Sequence, residues 1–302
     1  MLYFLFSLLA LSVLLIGNAA LSIFLGILFA YFFKLPKTFI SKKVGTIPLQ
    51  IGIVILGATI SLPYALDVSS EYFPWISLFV VASFFAGLLI GKILGIHRRI
   101  AFLLSAGAAI CGGTAMAAIA PIIKAKPQEL LIAMTIIFLL NALAIILFPL
   151  AGNYLGMNNF EFGAWSALAI HDTSSVIGSA LIFSNESAQV AATLKLGRTI
   201  WLIPLILIAN WIFNREVTAA KFPRFIIFFI FAIIINTMFN FNYEVQNFLQ
   251  TISQAFLIVG LFCIGTQFNY SELQSLSGKP LILALTLWVA VIPSAYYLVK
   301  YF

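Results

Sequence analysis

Charge is what this chain has least of: 8% of its 302 residues are Asp, Glu, Lys or Arg and 63% are hydrophobic, against about 25% charge in a soluble domain. That shortage excludes an ordinary water-soluble globule. Cysteine and histidine are also scarce, at two each, which excludes a disulfide framework and a CxxC metal site. Cys111 and Cys263 both lie in apolar runs and read as small buried hydrophobes. Acidic residues number nine against sixteen basic ones, for a net charge of +7. In a chain this apolar, such an excess is explained by the preference for basic loops on the cytoplasmic side rather than by nucleic acid. No phosphate-binding loop, nucleophile elbow, HExxH helix or basic-aromatic surface is present. Enzyme chemistry is therefore not expected; Cys111 is the sole candidate thiol.

What is present is a series of apolar runs whose lengths suit a bilayer core about 30 Å thick. Eleven membrane segments are expected, near 2–16, 19–34, 45–62, 73–95, 101–124, 128–150, 160–183, 188–213, 222–240, 247–269 and 279–300. The fold class is thus all-α and polytopic, with one membrane domain filling residues 1–302. The opening run, followed by Gly17-Asn18-Ala19-Ala20, imitates a secretory signal but lacks its basic start, so 1–18 is expected to remain as an extra N-terminal helix. Following alternate loops, one side collects Lys34, Lys37, Lys42, Lys43, Lys92, Arg98, Arg99, Arg215, Lys221, Arg224 and Lys279, and the other Asp67, Glu71 and Glu244. That asymmetry places the N-terminus in the cytoplasm and the C-terminus outside.

Two internal echoes suggest the inverted repeats on which many transporters are built, with 19–150 as the first repeat and 160–302 as the second. The stretch from Gly52 to Gly57 resembles that from Gly260 to Gly265, and Ala109-Ile110-Cys111-Gly112-Gly113-Thr114 resembles Ala169-Ile170-His171-Asp172-Thr173-Ser174. If both members of the second pair crossed the membrane they would run parallel and could not be inverted partners. If both are re-entrant, with arms of about eleven residues or ~16 Å, the first enters from the cytoplasm and the second from outside. That choice also carries Lys124 and Lys126 to the cytoplasm and Glu161 to the outside. Broken crossing helices are the competing arrangement.

The second echo also holds the residues able to carry chemistry. Gly112-Gly113 breaks a helix, and a break in hydrocarbon frees backbone groups that must find partners or a cavity. The helix that follows would offer N–H groups to an anion, with Thr114 placed to cap it. The abundant alanines around Cys111 equally suit a close-packing seam. Asp172, the one carboxylate deep in an apolar run, stands beside His171 and ahead of Thr173, Ser174 and Ser175, a set able to orient an oxyanion, hold sodium or pass a proton. Lys195 and Arg198, three apart, share one helix face. They could meet an anionic substrate, pair with Asp172, or snorkel outward near Glu186. Gln50, Thr59, Thr266, Gln267 and Asn269 could be neutral ligands or helix-packing bonds, and Asn141 and Asn210 carry less weight still.

On these pieces, together with Ala120-Pro121-Ile122-Ile123-Lys124-Ala125, Lys195-Leu196-Gly197-Arg198 and Ile264-Gly265, the chain resembles the bacterial Putative Sulfate Exporter family over nearly its whole length. The family's usual His-Glu followed by Ala-Gln-Val-Val is replaced here by His171-Asp172 followed by Thr173-Ser174-Ser175-Val176, a shorter carboxylate with added hydroxyls. More distantly the family is similar to the sodium/proton antiporter and bile-acid symporter superfamily, which implies alternating access about broken helices. The resemblance implies a secondary transporter in the bacterial inner membrane, carrying a small anion such as sulfate or a related oxyanion or sulfonate. Cys111, Gly112, Gly113, Thr114, Thr173, Ser174, Lys195 and Arg198 would bind it, and His171 and Asp172 would couple it to a proton or sodium. No cofactor, metal or nucleic acid is implied; the lipid bilayer and a homodimer partner are admitted. The alternative is a non-transporting sensor or assembly subunit on a transporter fold.

Overall fold

A computed structural model describes residues 2–33, 35–36, 39–44, 46–213, 224–267 and 278–301. Lys34, Lys37, Arg215, Lys221 and Asn269, named above, lie outside the described residues. Within them every regular element is helical: α1 (Leu2–Ile16), α2 (Ala19–Phe33), α3 (Ile40–Val44), α4 (Ile47–Gly57), α5 (Leu62–Ile93), α6 (Arg98–Ala109), α7 (Gly113–Ile119), α8 (Pro127–Tyr154), α9 (Asn159–Ala169), α10 (Thr173–Phe183), α11 (Asn185–Thr199), α12 (Leu202–Ile212), α13 (Arg224–Phe239), α14 (Tyr243–Gly265) and α15 (Lys279–Tyr301). Five stretches are long and apolar enough to cross a membrane by themselves: α5, α8, α11 with α12, α14 and α15. α1, α2, α4, α10 and α13 are shorter apolar helices.

The chain divides into two compact units, each taking segments from both halves of the sequence. The first comprises Met1–Leu66, Leu181–Asn185 and Arg224–Ser271. Its centre is α14, packed so closely on α2 and α4 that side chains are excluded. A Cβ added at Gly260 would stand 2.8 Å from the Leu49 nitrogen, and one at Gly52 would stand 3.0 Å from the Leu257 nitrogen. These pairings run in opposite senses, so α4 and α14 are antiparallel. The first sequence echo is therefore a helix-packing seam, of the small-residue kind that membrane helices use in place of hydrophobic attraction. Hydroxyls fasten it: Ser22 donates to Ile258 O (2.6 Å), Ser253 to Gly52 O (2.8 Å) and Thr266 to Ser41 Oγ (2.7 Å). Thr59 Oγ1 donates to Leu56 O and Gln50 Nε2 to Thr46 Oγ1, bonds local to their own helix.

The second unit comprises Asp67–Ala180, Glu186–Pro223 and Glu272–Phe302. Its frame is the long helices α5, α8, α11 with α12, and α15. α5 and α15 are antiparallel, because Cβ atoms added at Gly91 and Gly95 would meet Leu283 at 3.6 Å and Lys279 Nζ at 3.5 Å. Inside this frame the segment 101–124 is a hairpin. A Cβ at Gly107 would stand 3.2 Å from Met116 Sδ, whereas residues nine apart in a straight helix lie about 13 Å apart along the axis. α7 thus doubles back beside α6, and the residues flanking the hairpin meet: His97 Nδ1 is 3.0 Å from Glu129 Oε1.

The segment 160–183 is a hairpin too. Asn159 Nδ2 donates to Glu186 Oε2 (2.9 Å) and Ser187 Oγ to Asn159 O (2.7 Å), so α11 starts where α9 started. The two hairpins enter from opposite ends of the unit. At one end, Arg98 stacks over the Phe213 ring (5.1 Å) just beyond α12. At the other, Lys300 in the last turn of α15 donates to Glu161 Oε1 (2.9 Å) in the first turn of α9. Broken crossing helices do not fit this geometry; opposed hairpins do.

Candidate functional site

Each hairpin turns on residues that cannot continue a helix. In the first, Ile110, Cys111 and Gly112 intervene between α6 and α7, and Gly112 has φ +59° and ψ −124°, a conformation that glycine alone adopts readily. Gly112 is the N-cap of α7 and no side chain caps it. Thr114, expected to cap, lies instead in the first turn of α7, half-buried. In the second hairpin Ile170 is extended, and His171 and Asp172 precede α10. Here a side chain does cap: Asp172 Oδ2 accepts from Ser174 N (3.0 Å), Ser175 N (3.2 Å) and Ser175 Oγ (3.4 Å). Such caps contribute about 0.5–2 kcal/mol.

The two tips touch. A Cβ at Gly112 would lie 3.1 Å from Asp172 Cβ and 3.2 Å from its Cα. The arms have 12 and 11 residues and are about 18 and 16 Å long, a length roughly half the thickness of a hydrocarbon core. His171, 0% exposed, is drawn into the joint, with Nδ1 3.1 Å from Ala108 O. Since that oxygen only accepts, Nδ1 carries a proton. Nε2 is buried without a hydrogen-bond partner among the described residues.

Lys195 and Arg198 are also 0% exposed and lie in the same place, near the middle of the run formed by α11 and α12. Neither snorkels outward, and neither comes within 4.0 Å of a carboxylate among the described residues. Their donors meet backbone. Arg198 Nε donates to Ala109 O (2.6 Å) and Nη2 to Ala108 O (2.6 Å), closing the end of α6; Nη1 donates to Leu168 O (2.6 Å) and Ala167 O (3.1 Å), closing the end of α9. Lys195 Nζ adds Ile170 O (2.7 Å) and Ala167 O (3.5 Å). Each helix C-terminus carries about half a negative charge on carbonyls that lack partners. Two such ends pointed at one spot in an apolar interior would repel, and the two cations are what holds them there.

Of the residues singled out in the sequence, Cys111 to Thr114, His171 to Ser174, Lys195 and Arg198 assemble in one place, in two layers. Cys111, Gly112, Gly113, Thr173 and Ser174 are buried around the contact, while Thr114 and Asp172 remain half-buried and are its more open members. Lys195 and Arg198 form the supporting layer.

Asn141 lies on α8, one turn from a residue that packs against the first tip. Phe148, two turns beyond Asn141 in α8, stacks on Trp165 of α9 at 4.4 Å. Phe138, one turn before Asn141, has its ring 3.0 Å from where a Gly113 Cβ would be. Asn141 is 2% exposed and its Nδ2 has no partner among the described residues. Its one visible signal was an amide in the middle of a long apolar helix.

Fold and site define a polytopic helical membrane protein whose second unit holds a pair of opposed hairpin tips. Residues 1–284 match the family model described as Conserved hypothetical protein 698. The chain is 38% identical over 272 residues to a UPF0324 membrane protein of Bacteroides thetaiotaomicron, covering 89% of this chain and 82% of that one. It is 39% identical over 263 residues to a UPF0324 membrane protein of Vibrio parahaemolyticus, covering 85% and 84% respectively. The chain belongs to the UPF0324 membrane protein family, which is the Putative Sulfate Exporter family that its motifs resembled. No solved structure matches it.

Proposed function

We propose that the protein is a secondary transporter of a small anion, working by alternating access. The observation that supports this most is the meeting of two hairpin tips, Gly112 against Asp172, entering from opposite ends with buried cations behind them. Irregular backbone at this depth is tolerated where it lines a cavity, and opposed hairpins give the two faces of the membrane equivalent routes to one site. In this reading the second echo relates the two hairpins as parts of inverted repeats. The end carrying Arg98, Lys126 and Lys279 faces the cytoplasm of the bacterial inner membrane and the end carrying Glu161 faces outside.

In this reading the anion meets Thr114, the first N–H groups of α7, Thr173 and Ser174. Lys195 and Arg198 act through the field they set up rather than by direct contact, because their donors are occupied by carbonyls. His171 and Asp172 carry the coupling to a proton or sodium. Counterflow in liposomes tests the reading. Vesicles loaded with an unlabelled small oxyanion should transiently concentrate the labelled one, and Thr114→Val should slow this by roughly tenfold, the cost of about one hydrogen bond to a charged group. Binding without flux would show instead a sensor or assembly subunit built on a transporter fold.

A further inference from the structure

Six cations gather at one end of the second unit, brought there from four separate places in the chain. Lys92 ends α5, Arg98 and Arg99 begin α6, Lys124 and Lys126 precede α8, and Lys279 begins α15. Contacts tie these places together. Gly95 N donates to Lys92 O (3.1 Å), and Lys279 Nζ is 3.5 Å from where a Cβ on Gly95 would be. Two residues on, His97 Nδ1 meets Glu129 Oε1 (3.0 Å), and the other oxygen of that carboxylate accepts from Lys126 N (2.7 Å). Glu129 is the one carboxylate at this end among the described residues, and both its oxygens are occupied. Asp67, Glu71, Glu161 and Glu186 belong to the opposite end, where Tyr72 meets Phe160 and Asn159 meets Glu186. None of the six cations has a carboxylate within 4.0 Å among the described residues.

Like charges assembled this way repel, and negative counter-charge from outside the chain removes that cost. What surrounds the cations shows the form it takes. Leu89 and Ile93, on either side of Lys92 in α5, are exposed, and so is Ile282, one turn after Lys279. Arg98 stacks over Phe213, two residues from the exposed Trp211, an aromatic of the kind found where a membrane meets water. The cations thus stand at the edge of an outward-facing apolar surface. A soluble anion would use the charges and leave that surface in water, whereas a phospholipid uses both, its phosphate on the cations and its acyl chains on the leucine and isoleucines. We propose that this end of the second unit is a docking surface for acidic phospholipid, of the phosphatidylglycerol kind. Lys92 and Lys279, joined through the Gly95 turn and flanked by exposed aliphatic side chains, hold its headgroup. The surface lies at the far end of the α6 arm from the tips, and it serves the protein whether or not the chain transports.

The test sets phosphatidylglycerol against phosphatidylcholine with the same acyl chains. Each is titrated into the delipidated full chain in an uncharged detergent, and binding is followed by native mass spectrometry and by thermal unfolding. The native chain should bind phosphatidylglycerol about tenfold or more tighter than phosphatidylcholine, as expected for several basic residues near an anionic surface. Replacing Lys92→Gln together with Lys279→Gln should lower that ratio by about fivefold or more. Both side chains are exposed, so the unfolding midpoint without lipid should stay put. The control pair, Arg224→Gln with Lys300→Gln, removes the same charge outside the cluster and should leave the ratio within about twofold. Equal binding of the two lipids, or equal losses in the two pairs, overturns the proposal. So does glycerol phosphate binding as tightly as the lipid, which would mark the cations as a site for soluble phosphate.

Discussion

Gly112 and Asp172 pack closely, 60 positions apart in the chain: a Cβ on Gly112 would stand 3.1 Å from Asp172 Cβ and 3.2 Å from its Cα, so a methyl group there would push the second tip back by a few tenths of an ångström. Gly112→Ala is hindered twice, by its φ of +59° and by that contact. The expected loss is about 1–3 kcal/mol of stability, together with transport, read as thermal unfolding in detergent and as counterflow. Gly113→Ala faces only the ring of Phe138, which can turn, and should be much milder; equal effects would count against the packing of the tips.

Arg198 should be hard to replace. Arg198→Met strands Ala109 O and Leu168 O at the ends of α6 and α9, while Ala108 O keeps His171 and Ala167 O keeps Lys195; each buried group left without a partner costs about 1–3 kcal/mol. Arg198→Lys should recover little, because a point ammonium cannot reproduce a planar fork with donors on two helices. A lysine variant as stable as the native protein would contradict the carbonyl network.

In the proposed topology the hairpins set which residues share a membrane face. With Cys111 and Cys263 replaced by alanine, single cysteines at Arg99 and Lys126 should be labelled from one side, and those at Glu161 and Glu186 from the other. The measurement is protection by an impermeant thiol reagent in intact cells and in inverted vesicles. Opposite labelling of the Arg99 and Lys126 positions would mean that the segment between them crosses.

The two chain breaks were legible in the sequence, for a physical reason: a Gly-Gly pair and an Asp inside apolar runs are costly unless the backbone breaks there. Of the eleven segments expected, five stretches are long and apolar enough to cross a membrane by themselves, and the others are shorter or divided helices. The direction in which Lys195 and Arg198 point was not legible. Residue type and a spacing of three fix a shared face, but not whether donors on that face meet a ligand or a carbonyl. The cap of α7 was misplaced on Thr114 because a hydroxyl normally outcompetes glycine at that position; here φ decides instead. The Gly52 and Gly260 echo looked like half of a repeat, and its glycines are used to bring α4 and α14 together.

Asn141 separates function from stability. Its Nδ2 is buried without a partner, a condition that costs about 1–3 kcal/mol, so Asn141→Leu should leave the folded protein as stable or more so. If the amide serves the anion at the tips, the same variant should weaken apparent substrate affinity about tenfold, the equivalent of ~1.4 kcal/mol. A variant that is more stable and transports normally would remove Asn141 from the site.

One guanidinium closing the ends of α6 and α9 has a further consequence for how sequence changes combine. Alterations around Ala108 in one hairpin and Leu168 in the other reach the same four-bond joint, although they lie far apart along the chain. Their effects should be strongly non-additive, as for residues of one network: once the first has loosened the guanidinium, the second has less left to lose. The two hairpins thus form a single unit of inheritance, in which a substitution in one sets which substitutions the other can tolerate.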